Sequence, residues 1–111
     1  MATPVIDLPT FTELQASTGA DFVAELVATF AEEAPGMLAE LRAAWAAASP
    51  ERFRRAAHSM KTNALSFGAQ RLADCARTLE QGSLPADEGA LAALEAHYHE
   101  AASALAALAR G

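Results

Sequence analysis

The sequence predicts an all-α fold, an up-down-up-down antiparallel four-helix bundle with a short extra helix at its N-terminus. Three observations predict it. Apolar residues recur at three- and four-residue spacing through four long segments, no segment alternates as a strand does, and cap or turn residues separate the segments. Four amphipathic helices on short turns can bury their stripes only against one another.

Met1 to Leu8 reads as a lead-in strap, and Pro9-Thr10 start a short helix to about Ala16 that Gly19 ends. Residues 1–19 are thus strap and short helix, and residues 20–110 the bundle, within one domain spanning 1–111. From Asp21 to about Ala48, Phe22, Leu26, Phe30, Met37, Leu41 and Trp45 repeat at helical spacing, with Val23, Val27, Ala34 and Leu38 beside them. Pro35-Gly36 falls inside this stripe. Because the stripe resumes in phase, the expectation is one kinked helix rather than two. Ser49-Pro50-Glu51 opens the next helix, with a serine N-cap, proline at the first position and an acid in the first turn, and Gly68 closes it. Ala69 to Gln81 follows on Leu72, Cys75, Ala76 and Leu79, with a turn from Gly82 to Pro85. The last helix runs from near Asp87 to about Ala109 through Leu91, Leu94, Tyr98, Ala101, Leu105 and Leu108.

A chain of 111 residues, 52% hydrophobic and 20% charged, can bury a core of its own and is not disordered. A formal charge of −6 argues against nucleic acid as a partner. The charge is unevenly spread. Residues 51–77 hold Arg52, Arg54, Arg55, Lys61, Arg71 and Arg77 against Glu51 and Asp74, a surplus of +4 that leaves −10 for the rest. The single Cys75 forbids an intramolecular disulfide, and its place on a stripe predicts a buried thiol. The N-terminus lacks a signal-peptide pattern and no stretch is apolar enough to span a bilayer. The expectation is a cytoplasmic, free-standing monomer that does not engage a membrane.

Laid out at about 100° per residue, the segment opened by Ser49 separates into two faces. Phe53, Ala56, Ala57, Met60, Ala64 and Phe67 share one. His58 lies nearly opposite, with Arg54 and Arg55 a turn before it and Lys61, Thr62 and Leu65 after it. The histidine is therefore expected to face water inside a local positive field, which suits a group that must carry a phosphoryl charge. Phe11, Phe22, Leu26 and Val27 are expected in the core, leaving Leu65 as the apolar anchor beside the imidazole. His97 and His99 lie about 200° apart on their helix and cannot chelate one metal, and no other Cys, His and carboxylate set has ligand spacing. No glycine-rich phosphate loop is present.

His58, Met60, Lys61, Ala64, Phe67 and Gly68, continued by Ala69-Gln70-Arg71-Leu72-Ala73 and Leu79-Glu80, resemble the pattern of histidine phosphotransfer (HPt) domains. In that family the pattern reads His-x-apolar-Lys-Gly-small-small-x-x-apolar-Gly. Two positions depart from it: Thr62 stands where the family has a glycine, and Asn63 where it has a small residue. The resemblance implies a phosphocarrier, not an enzyme with its own ATP site. His58 would accept a phosphoryl group from an aspartyl-phosphate receiver domain of a two-component phosphorelay and pass it to another. Lys61 would steady the phosphoryl oxygens. Glu80, with Gln81 adjacent, would orient the imidazole. Arg54, Arg55, Thr62 and Leu65 would meet the partner. The partners implied are response-regulator receivers and a hybrid sensor histidine kinase. The chain itself needs no cofactor, since the magnesium belongs to the receiver. The rival reading is a helical interaction module that docks and regulates a sensor kinase or receiver without transfer, because Thr62 adds bulk beside the nucleophile. A structural bundle or metal carrier with an incidental His58 is the third.

Overall fold

The computed structural model describes residues 3–110, so the part of the expected strap at Met1 and Ala2 lies outside the described residues. Five helices follow in order: α1 Leu8–Thr18, α2 Ala20–Ala46, α3 Pro50–Phe67, α4 Gln70–Gln81 and α5 Gly89–Arg110, with no strand among the described residues. Each of α2 to α5 packs on its chain neighbour, and α2 closes the ring against α5. The α1 helix lies across α2 and α3. A helix of 27 residues spans about 40 Å, and α2, which has that length, matches the 41 Å long dimension of the molecule.

The core is drawn from every helix. Phe11, Val23, Leu41, Phe53, Met60, Leu72, Leu94 and Leu105 are all but closed to solvent, and no polar or charged residue is buried with them among the described residues. Phe30 joins three helices, its ring 5.5 Å from Phe67 and 5.6 Å from Tyr98. Alanines 34, 44, 57, 64, 73 and 76 are fully buried, which lets the backbones approach closely.

Helix boundaries follow local chemistry. The N-cap of α1 is Asp7, whose carboxylate accepts from the Thr10 amide, so α1 starts one residue earlier than Pro9-Thr10 alone predicts and ends beyond Ala16. Gly19, at φ 95°, ends α1 and starts α2 in one residue. The α2 helix runs unbroken through Pro35, which is exposed, and stops at Ala46 because Ala48 adopts a left-handed φ of 53°. Ser49 caps α3 through the Arg52 amide. Gly68, at φ 76°, ends it, and its carbonyl accepts the Asp7 amide at 2.6 Å, pinning the chain before α1 to the end of α3.

Two expectations change. Phe22 is 48% exposed, because the buried stripe of α2 runs through Val23, Val27, Phe30, Ala34 and Leu41, one position round from it, and Leu26 is only half-buried. Cys75 is partly rather than fully buried, and burial raises its thiol pKa.

Candidate functional site

His58 stands on α3 opposite the buried Phe53, Ala57, Met60 and Ala64, and its side chain is 58% exposed. Its Nδ1 lies 2.6 Å from Glu80 Oε1. Glu80 sits in the last turn of α4, and the tight αL turn at Gly68 lays that helix back along α3, which brings the carboxylate to the ring. The other carboxylate oxygen, Oε2, is closed to water and has Lys61 Nζ 2.6 Å away. Histidine, glutamate and lysine thus form one chain of contacts along the α3–α4 seam.

Lys61, first, and His58, second, hold the Glu80 carboxyl below its ordinary value against the opposing cost of partial burial. An ionised carboxylate has no proton to give, so in the neutral imidazole Nδ1 carries the hydrogen and Nε2 the lone pair. Nε2 has no hydrogen-bond partner among the described residues. The arrangement fixes one tautomer and offers one nucleophilic nitrogen to solvent.

The remaining expected residues are placed as follows. Gln81 is exposed and its side chain makes no hydrogen bond among the described residues, so the contact to His58 is Glu80's alone. Thr62 is exposed, and its hydroxyl donates to the His58 carbonyl at 2.9 Å. Leu65 is 40% exposed on the same face. Arg54 and Arg55 both face water.

The positive field expected around His58 is largely cancelled. Arg52 is held by Glu40 at 3.0 Å, Lys61 by Glu80, Arg71 by Glu100 and Arg77 by Asp74, while Arg55 leans on Glu51 at 3.8 Å. Of the six cations in the basic segment only Arg54 lacks an ion pair among the described residues. Glu40, Glu80 and Glu100 lie outside the segment in sequence and beside it in space.

A cleft of about 650 Å³ lies between α2 and α3 and reaches Ser59, the residue after His58, and helical periodicity alone gives no sign of it. The Pro35-Gly36 pair is the sequence mark of its α2 wall, and periodicity reads that pair only as a kink. No group of His, Cys, Asp and Glu residues among the described residues could hold a metal ion, and no helix there is long and apolar enough to cross a membrane.

Among the three histidines, the exposed His58 imidazole is the one held at Nδ1 by a carboxylate from the next helix. Comparison with known families matches residues 25–106 to the Hpt domain, and the chain belongs to that family. Domains of this family take part in histidine phosphotransfer within phosphorelays, as carrier modules that interact with receivers and kinases. No curated protein and no solved structure matches the chain significantly.

Proposed function

We propose that the protein accepts a phosphoryl group on His58 from the aspartyl phosphate of a receiver domain and passes it to a second receiver. The observation that carries this reading is the exposed imidazole whose Nδ1 is held by Glu80 at 2.6 Å. In the forward step the Nε2 lone pair forms the N–P bond as the partner's O–P bond breaks, and the aspartate leaves as a carboxylate. Glu80 keeps the Nδ1 proton in place, so the phosphorylated ring leaves as neutral imidazole in the return step. An ammonium has three donors, of which Glu80 takes one, and Lys61 turns another to the phosphoryl oxygens.

The bundle behind this chemistry is up-down-up-down and antiparallel, which the short α2–α3 and α3–α4 connections support. Arg54, Arg55, Thr62 and Leu65 form the docking face, with Leu65 as its apolar anchor. The partners are response-regulator receivers and a hybrid sensor kinase. The chain works as a monomer in the cytoplasm and supplies neither ATP site nor metal, the magnesium being the receiver's. Incubation with a phosphorylated receiver should give an acid-labile, alkali-stable label that His58→Gln abolishes. Label persisting on that variant would overturn the assignment.

A further inference from the structure

We propose that the cleft between α2 and α3 receives a basic segment of the docking partner, with Glu32 and Glu33 as the charges that select it. The inference rests on the reading of His58 as phosphoryl acceptor and adds what chooses the partner. The cleft, of about 650 Å³, is bounded by Glu32, Glu33, Gly36 and Met37 on α2 and by Ser59 and Asn63 on α3. Ser59 follows His58 directly, so anything docked over the imidazole on that side overhangs the cleft.

The charges on its α2 wall are uncommitted. Glu32 and Glu33 are exposed and have no ion pair among the described residues, whereas Glu40 at the far end is taken by Arg52. Two free carboxylates repel an acidic surface and draw a basic one. Arg54, the unpaired cation, lies on the other side of His58 from Ser59. Arg55 lies on the Ser59 side but leans on Glu51 at 3.8 Å, so the uncommitted charge on that side is the carboxylates', and a partner must present the opposite pair in the same order.

Gly36 points the same way. It has no positive φ to satisfy, and a Cβ added there would meet nothing within 4 Å. Glycine inside a helix weakens it relative to alanine, so neither backbone geometry nor packing accounts for this residue. What it does is hold the cleft floor at backbone level beside Met37. A lysine or arginine can lay its aliphatic stem on that apolar floor and set its charged head on the carboxylates.

The test uses the full chain as wild type, Glu32→Lys/Glu33→Lys and Gly36→Leu, each checked for helix content and unfolding midpoint. His58 is loaded with phosphoramidate, a donor that needs no docking, and transfer is then timed to a panel of purified receiver domains. For receivers that the wild type serves, both variants should slow transfer at subsaturating receiver by about tenfold. Added salt should narrow the deficit of the charge variant, through screening, and leave that of Gly36→Leu. Folded variants that transfer within about twofold of the wild type, less than the effect expected of a lost charge pair, overturn the cleft proposal alone. A wild type that loads from phosphoramidate but serves no receiver overturns the phosphocarrier reading and this proposal with it.

Discussion

Glu80 reaches His58 from 22 residues further along the chain and places Oε1 2.6 Å from Nδ1. In the proposed transfer that contact selects the ring nitrogen that reacts. Carboxylates that orient metal-bound histidines are worth about 10–100-fold in function, and a similar loss of phosphoryl acceptance is expected for Glu80→Ala. Nitrogen-15 NMR of the His58 ring at neutral pH should show the Nδ1–H tautomer in the wild type and a mixture in the variant. A single unchanged tautomer in Glu80→Ala would show that the carboxylate does not set it.

The same carboxylate gives stability a pH dependence whose sign is fixed. Its folded pKa lies below the ordinary value of 4.5 because of Lys61 and His58. A depressed acid contributes stability that is present above its unfolded pKa and lost as pH falls through the folded one. Urea unfolding should therefore find Glu80→Gln less stable than the wild type at neutral pH, with the gap closing as pH drops below 4.5. Lys61→Met, which removes the larger cause, should flatten the same acid limb. A gap that persists unchanged at pH 3 would assign the loss to packing.

Gly68 is where the end of α3 meets the strap before α1. Its φ is 76°, and a Cβ there would lie 2.8 Å from the Asp7 carbonyl oxygen and 3.0 Å from Thr10 Cβ. The left-handed conformation alone costs an L-residue about 1–2 kcal/mol, and the carbonyl is backbone that must shift. Gly68→Ala should lose at least about 2 kcal/mol in denaturant unfolding. Gly68→Asn adds the same Cβ but tolerates the left-handed conformation better, so it should recover only part of the loss. Full recovery would remove the strap contact from the explanation.

Much of this was legible in the sequence, and what was not has a physical reason. Ser49, Pro50 and Gly68 announced α3 because caps act within a turn, and the stripe through Pro35 announced an unbroken α2 because its phase survives the proline. The face of His58 followed from the same periodicity. Phe22 was misplaced because Phe22-Leu26 and Val23-Val27 both fit a helical repeat. Which of them faces inward depends on how α1 and α3 cover α2. The cancelled charge around His58 was invisible for another reason. The pairs Arg52 with Glu40 and Arg71 with Glu100 join residues 12 and 29 apart, and such pairings belong to tertiary structure.

Thr62 is the residue at which the proposed phosphocarrier and a module that only binds can be told apart. It follows His58 by one helical turn, and its hydroxyl, bound to the His58 carbonyl at 2.9 Å, fixes the side chain on the exposed face. A receiver that brings its aspartate to Nε2 must pass this threonine. Thr62→Gly removes the bulk and the back-bond together. It should lower stability by only about 0.5 kcal/mol, the difference in helix propensity at an exposed position. If the threonine crowds the approach, transfer to a receiver should quicken in the variant while loading of His58 by phosphoramidate stays as it was. A wild type that binds receivers without transfer, and a Thr62→Gly variant that transfers, would make the chain a binding module whose chemistry one side chain holds off. Equal rates in the two proteins would show instead that the partner's approach leaves room for the threonine, and that the nucleophile is as open in solution as its 58% side-chain exposure indicates.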